Sequence, residues 1–355
     1  MKNDKLGIAV VGAGYWGPNL LRNFGGSDAW DVVALCDVDA ARARGVAARL
    51  GDVECFTSLD DVLGLDSVDA VAIATPARTH QAITLSALRA GKHVLVEKPL
   101  ADSGTSASQM VELAEDNDLV LMTDHTYCYT PVVAKIREII ADGSLGDVLF
   151  IDSVRINLGL VQPDVDVFWD LAPHDLAIFD FILPGGLRPT GVTAHGADPL
   201  GAGRSCVGYL TLPLPGGAMA HVHVNWLSPT KIRQMVVGGT RRTLVWDDLN
   251  PQQRLSVYDR GVDLVHQSSA GADRTAATVS YRLGDTWAPA LPEHEALGQM
   301  VTEFAASIRE GRRPRTDGLA GLRVLAVLEA ARESLANGGR MVPTGMLHEP
   351  LVGTA

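Results

Sequence analysis

The sequence predicts an α/β protein in two parts: a doubly wound parallel sheet over residues 1–125, then a second domain over 126–355 with an antiparallel or mixed sheet. Three observations carry this. In the first 125 residues, short apolar runs alternate with helical stretches, as parallel strands joined by crossover helices require. A glycine-rich turn sits between the first such run and the first helix. Beyond residue 125 the strand-like runs lengthen and follow one another without helices between them.

Residues 6–11, 32–36, 70–74, 93–96 and 119–122 are short apolar runs suited to strands buried on both faces. Helical periodicity occupies 16–24, 40–50, 58–63, 79–90 and 105–116 between them. In the second part, Thr130-Pro131 opens a helix with proline in its first turn and Gly143 near its end. Strands are expected at 148–157, 191–195, 206–212, 218–227, 231–237 and 242–246, with turns at Pro215-Gly216-Gly217 and Gly238-Gly239. Residues 267–278, small and polar, read as a mobile loop, and helices over 293–309 and 318–336 close the chain.

The chain has 355 residues, enough for two domains at about 150 residues each. Its 30 basic and 42 acidic side chains leave a net charge of −12, which argues against nucleic acid or an anionic membrane as partner. No apolar run approaches the ~18 residues of a membrane helix. Cys36, Cys55, Cys128 and Cys206 are too scattered for a disulfide framework. The opening residues lack the charged, apolar, then cleavable layout of a signal peptide, so a cytoplasmic, reduced protein is expected.

Gly12-Ala13-Gly14-Tyr15-Trp16-Gly17 has the GxGxxG form and lies between a strand and a helix. Gly12 permits the tight turn, Gly14 lets the backbone approach a pyrophosphate, and Gly17 lets helix and strand pack closely. The helix N-terminus adds free N–H groups and partial positive charge. Asp37 ends the second strand 20 residues after Gly17, where a carboxylate accepts from ribose hydroxyls and repels a 2′-phosphate. NAD is therefore expected over NADP, although Arg42 and Arg44 stand near enough downstream to hold that phosphate.

The strand at 93–96 leads into Glu97-Lys98-Pro99 at the edge where ligands bind in open α/β sheets. Thr75-Pro76 ends the preceding strand at the same edge, and His80 follows. In the second part, Phe168-Trp169-Asp170-Leu171-Ala172-Pro173-His174 begins a helix, with Asp170 and His174 one turn apart. By itself that pair is as well read as an N-cap aspartate and a partly buried histidine.

Taken together, residues 6–17, Asp37, Thr75-Pro76, Glu97-Lys98-Pro99 and Asp170-x-x-x-His174 resemble the glucose–fructose oxidoreductase/inositol dehydrogenase (Gfo/Idh/MocA) family, over nearly the whole chain. The resemblance implies an N-terminal Rossmann domain, a C-terminal domain on a large, mostly antiparallel open sheet, and oxidation or reduction of a sugar or cyclitol hydroxyl. It implies catalytic roles for Lys98, Asp170 and His174. Leu171-Ala172-Pro173, between Asp170 and His174 where relatives often have glycine, is expected to tighten the helix start. Cofactor contacts are expected from Gly12, Gly14, Tyr15, Trp16, Gly17, Asp37, Thr75, Pro76, His80, Glu97 and Lys98. Chemically, a histidine with an ordinary pKa near ~6.5 serves as base in oxidation and acid in reduction. Lys98 would stabilise alkoxide charge, and Asp170 would orient substrate or histidine and raise the pKa of His174.

Several residues carry two readings. Arg155 and Asn157 either reach substrate or form a solvated strand face. His125 and Tyr127 line the cleft or fill the domain junction. Trp169, Lys231 and Arg233 are the remaining substrate-contact candidates. His221 and His223 share a strand face, but no third ligand stands at metal spacing, so no metal is expected. Tyr281-Arg282-Leu283-Gly284-Asp285 resembles a segment of sugar-nucleotide-associated members of the family and has no evident physical role. The expected activity is NAD(H)-dependent oxidoreduction of a sugar, sugar nucleotide, cyclitol or aminoglycoside-like hydroxyl by a homodimer or homotetramer. The alternatives are an NAD-dependent glycosidase on the same fold and a non-catalytic NAD-binding regulator.

Overall fold

The computed structural model describes residues 5–50, 53–162, 165–267 and 276–344. The first sheet is built from β1 (Leu6–Val11), α1 (Gly17–Gly25), β2 (Trp30–Cys36), α2 (Ala40–Leu50), β3 (Glu54–Phe56), α3 (Leu59–Leu63), β4 (Ala70–Ile73), α4 (His80–Arg89), β5 (His93–Glu97), α5 (Gly104–Asp116) and β6 (Leu121–Asp124). Its six parallel strands run in the order β3-β2-β1-β4-β5-β6. The order reverses between β1 and β4, which opens a crevice at their C-terminal ends. All four residues of β4 are buried, as a strand covered on both faces requires.

The second part comprises α6 (Pro131–Ala141), β7 (Val148–Leu158), α7 (Val167–Ile182), β8 (Thr193–Ala197), β9 (Val207–Pro213), β10 (Met219–Asn225), β11 (Leu227–Gly239), β12 (Thr243–Asp247), β13 (Leu255–Gln267), β14 (Ala276–Trp287), α8 (Ala296–Glu310) and α9 (Gly318–Ala336). The eight-stranded sheet runs β14-β13-β12-β11-β7-β10-β9-β8, antiparallel except where β10 meets β7. Ala220, Val222 and Val224 of β10, with Trp226 just beyond it, form a buried face. Helix α7 lies close against the sheet because Gly208 has no side chain: a Cβ there would sit 2.1 Å from the Phe168 ring. The opposite face leaves Tyr209, Met219 and Phe150 exposed.

The two closing helices also reach the first sheet. Trp30 donates its indole N–H to the Val301 carbonyl of α8 at 2.8 Å, and the Gly104 N–H donates to Glu329 of α9 at 2.8 Å. Met122 of β6 also bridges to Asp317, the residue that caps α9. The chain after residue 125 therefore braces the first sheet as well as building the second.

Some boundaries depart from expectation. The strand expected at 119–122 is β6, two residues later, because the chain is still leaving α5: Asp118 adopts φ 53° and the Leu119 N–H returns to the Ala114 carbonyl. Strand β3 is only three residues long and carries no apolar run to reveal it. The expected loop at 267–278 begins and ends inside the paired strands β13 and β14, with Gln267 opposite Ala276, and 268–275 lie outside the described residues. That long ribbon was missed because its sequence mixes charged, polar and small residues. Helix α7 is capped by Asp166, whose carboxylate accepts from the Trp169 N–H at 3.0 Å, so Asp170 is not the N-cap.

Candidate active site

The glycine loop follows β1 directly, and its three glycines meet three different constraints. Gly12 has φ 105°, and a Cβ there would lie 2.6 Å from the Ala74 carbonyl oxygen. A Cβ on Gly17 would lie 2.0 Å from the Gly12 oxygen, so α1 could not start so near β1. At Gly14 a Cβ would meet nothing within 4 Å; the backbone there borders open space. A tight turn, a close crossing and an unobstructed peptide together fit a dinucleotide pyrophosphate.

Asp37 is nearly buried beside this loop. Its Oδ2 accepts from the Ala13 N–H at 2.7 Å, while Oδ1 accepts from the Asp39 N–H at 2.8 Å and from Arg42 at 3.3 Å. The carboxylate thus ties the β2 end to the glycine loop. His80 is buried, with Nδ1 2.9 Å from the Pro99 carbonyl and Nε2 2.8 Å from the Thr75 carbonyl. It joins the loops after β4 and β5 from beneath. Tyr15 stands 93% exposed over the glycine loop. Trp16 turns inward and donates its indole N–H to Asp124 at 3.1 Å.

Glu97 and Asp124 are register partners on β5 and β6. Burial, reinforced by Asp124, pushes the Glu97 carboxyl well above the usual range. Burial likewise raises Asp124, against the hydrogen bonds it receives. Two adjacent buried carboxyls resist double ionisation. The next residue, Lys98, turns the other way, towards the second domain, and its peptide bond to Pro99 is cis.

Lys98 and α7 bring the two domains together. The Lys98 ammonium donates to the Asp170 carbonyl at 2.9 Å and approaches the Asp170 carboxylate at 3.5 Å. The other carboxylate oxygen accepts from the Trp226 indole at 3.0 Å. One turn on, the partly exposed His174 ring packs edge-on against Tyr127, with centroids 5.2 Å apart. Arg233 donates to the Tyr127 hydroxyl at 2.8 Å, and the Arg155 guanidinium lies 4.5 Å over the Tyr127 ring. Burial first, then the Lys98 and Arg155 cations, holds the His174 imidazole well below its usual pKa. This corrects the expectation drawn from Asp170: its carboxylate is engaged by Lys98 and Trp226, and cations dominate around the ring.

Lys98, Asp170, His174, Tyr127 and Arg233 are thus brought together; other candidates lie differently. Arg155 is buried in a bidentate pair with Asp175, Nε to Oδ2 at 2.8 Å and Nη2 to Oδ1 at 3.0 Å, and Ser153 also donates to that carboxylate. Trp169 is 6% exposed, stacked under Arg332 of α9 at 4.2 Å. Lys231 is exposed in the irregular stretch of β11 between Leu227 and Ile232. Asn157 stands near the end of β7, so close to Gly159 that a Cβ there would meet its amide nitrogen at 2.8 Å. His221 faces Asp152 at 3.6 Å, and His223 stacks on Tyr209. The segment from Tyr281 to Asp285 belongs to the β13–β14 ribbon. There Arg282 crosses Gly261 to reach Asp259 at 3.4 Å and the Arg241 carbonyl, and Gly284 lets the strands close on Asp259. Its role in this fold is to fasten that ribbon.

Sequence reading missed Trp226 and Asp175 as partners. Trp226 was detectable as the last residue on the parity of Ala220, Val222 and Val224, which points it at α7. Asp175 gave no signal of its own.

Residues 6–125 match the oxidoreductase family with an NAD-binding Rossmann fold, GFO_IDH_MocA, and residues 133–245 match the GFO/IDH/MocA C-terminal domain. UDP-N-acetylglucosamine 3-dehydrogenase of Acidithiobacillus ferrooxidans is 28% identical over 320 residues, 89% of this chain and 93% of that protein. A solved structure of that dehydrogenase superposes with a TM-score of 0.79 at 26% identity, covering 95% of this chain and 99% of the other. An uncharacterized oxidoreductase of Streptococcus pneumoniae serotype 4 is 35% identical over 156 residues, 44% of this chain and 42% of that protein. The structure of GenD2 from gentamicin A biosynthesis, in complex with NAD, gives a TM-score of 0.77 at 25% identity over 96% of each chain.

Proposed function

Because this chain belongs to the Gfo/Idh/MocA family of NAD-binding oxidoreductases, we propose that it is an NAD(H)-dependent dehydrogenase or ketoreductase of a secondary hydroxyl on a sugar nucleotide or natural-product sugar. The observation that carries this is the Lys98 ammonium, delivered from the first sheet to within 2.9 Å of the Asp170 carbonyl on the helix that bears His174. The sugar-nucleotide reading is supported by the relative that acts on UDP-N-acetylglucosamine, matched across nearly its full length.

NAD, held at the glycine loop and Asp37, would supply the hydride acceptor for oxidation of a carbinol carbon and, in its reduced form, the hydride donor for the reverse reaction. The protein's own residues manage the oxygen and its proton. An ammonium has three N–H bonds. Asp170 orients Lys98 through its carbonyl and carboxylate, and an N–H aimed at the substrate oxygen stabilises the charge that develops there. His174, kept neutral by its surroundings, accepts the hydroxyl proton in oxidation and gives it back in reduction. Tyr127, held by Arg233 and Arg155, walls the His174 ring and sets its orientation.

The exposed Tyr209, Met219 and Phe150 on the second sheet suit an interface, and we infer a homodimer or homotetramer. Light scattering that finds a 37.7 kDa particle at micromolar concentration excludes it.

Activity is tested with UDP-N-acetylglucosamine and other nucleotide sugars by NADH absorbance. Lys98→Ala is expected to lower turnover about 10²–10³-fold with NADH affinity nearly unchanged. His174→Ala is expected to lower it about 10²–10⁴-fold. Sugar release without net NADH identifies a glycosidase, and cofactor binding without turnover identifies a regulator. A folded His174→Ala protein that keeps normal turnover removes His174 from the proton path.

A further inference from the structure

Resting on the reading of His174 as proton carrier, we propose that His125 is the acceptor, through one buried water, for the Nδ1–H of His174, and so fixes the tautomer that leaves Nε2 as the base. His125 is a positioning residue in this scheme, with no contact to the substrate.

A neutral imidazole carries one proton, and the hydrogen bond made by one ring nitrogen decides which nitrogen is free to accept. His174 Nδ1 is buried and has no hydrogen-bond partner. His125 is 2% exposed, and neither of its ring nitrogens has a partner. A buried polar atom left unpaired is costly, and three such atoms at one junction call for a shared explanation. His125 follows β6 and leads into the 3-10 turn Thr126–Tyr129, which packs on α7. From that turn Tyr127 meets the His174 ring and Cys128 donates to the Ala177 carbonyl at 3.4 Å.

The choice of acceptor follows from the groups that face His174 from each neighbouring element. Lys98 after β5, Arg155 on β7 and Arg233 on β11 bear on the ring, but ammonium and guanidinium groups only donate. The Asp170 carboxylate already accepts from Lys98 and Trp226, and the Tyr127 hydroxyl is held by Arg233. Among these groups His125 is the one acceptor whose nitrogens have no hydrogen-bond partner. Burial keeps it neutral, with its pKa lowered to about 4, so its lone pair persists throughout the working pH range. Of its own neighbours, Asp180 is occupied by Arg323 and the Leu187 N–H, and Lys98 by Asp170.

The test is ¹⁵N–¹H correlation NMR of histidine-labelled protein, with and without NADH, on the wild type, His125→Leu and His125→Asn. The wild type should show His174 as the Nδ1–H tautomer. His125→Leu should shift it towards Nε2–H and lower kcat about 10- to 100-fold, the usual loss when an orienting partner is removed, with NADH affinity unchanged. His125→Asn, which keeps an acceptor, should restore both. A wild-type spectrum with His174 as Nε2–H overturns the proposal without any variant, so misfolding of the substituted proteins cannot shield it. A folded His125→Leu protein with His174 still Nδ1–H and normal kcat also overturns it. Failure of the underlying reading looks different, because His174→Ala would then retain turnover whatever the tautomer.

Discussion

Arg155 can be assigned to the substrate or to the fabric of the site by removing its charge while keeping its stem. In Arg155→Met the Asp175 carboxylate loses two guanidinium hydrogen bonds at 2.8 and 3.0 Å and keeps only the Ser153 hydroxyl at 2.9 Å. Both side chains are at most 4% exposed, so water cannot replace the lost partner. Breaking a buried pair by removing one member costs about 3–5 kcal/mol. At about 2–4 °C per kcal/mol for a domain of this size, Tm should fall by about 6–20 °C. Arg155→Met combined with Asp175→Leu should regain most of that loss, because replacing both buried charges with apolar groups leaves no orphan. The guanidinium also lies over the Tyr127 ring, so kcat of the folded Arg155→Met enzyme should fall modestly while KM for the sugar stays near normal. Calorimetric melts and steady-state kinetics on the same preparations decide it. An Arg155→Met protein with an unchanged Tm and a strongly raised KM would refute the assignment and place the side chain on the substrate.

Gly14→Ala should keep the wild-type Tm yet weaken NADH binding, since its Cβ enters open space, whereas Gly17→Ala should lower both because its Cβ meets the Gly12 carbonyl; melts with and without NADH separate them. NADH should bind more tightly than NADPH by fluorescence titration, because Asp37 opposes a 2′-phosphate; a clear NADPH preference would mean that Arg42, 3.3 Å from Asp37, governs the site. The low-pH limb of the oxidation profile should lie below the ordinary imidazole range of ~6.5, because His174 stays neutral there and remains a base. Stability runs with the same sign: His125 and His174 are kept neutral by the fold and bind protons when unfolded, so Tm should fall as pH drops below ~6.5, and the rate profile must be read on folded enzyme.

What could be read from the sequence was whatever chemistry is imposed by neighbours along the chain. Gly12, Gly14 and Gly17 are recognisable within six residues of sequence, and their separate roles reappear atom by atom as a contact with the Ala74 carbonyl, an open space and a close crossing. Lys98 follows from counting strand ends, since the parallel sheet puts every βα turn on one edge. The sign of the His174 shift was not accessible in this way. Its visible neighbour is Asp170, four residues away, while burial first, and then Lys98 from beyond β5, Arg155 from β7 and Arg233 from β11, reverse the sign. Arg155 failed to declare itself for the same reason, since its partner Asp175 lies on another element.

Pro173 shows how a local rule can identify a residue yet misplace its effect. Proline is common in a first helical turn, and Pro173 was expected to tighten the start of the helix. The helix instead begins at Val167 under the Asp166 cap, so the proline lies inside it. Having no N–H, Pro173 leaves the Trp169 carbonyl without its helical donor one turn later. The next carbonyl is that of Asp170, which accepts from Lys98 at 2.9 Å. An irregularity that weakens α7 as a helix therefore falls where the helix meets the lysine of the other domain.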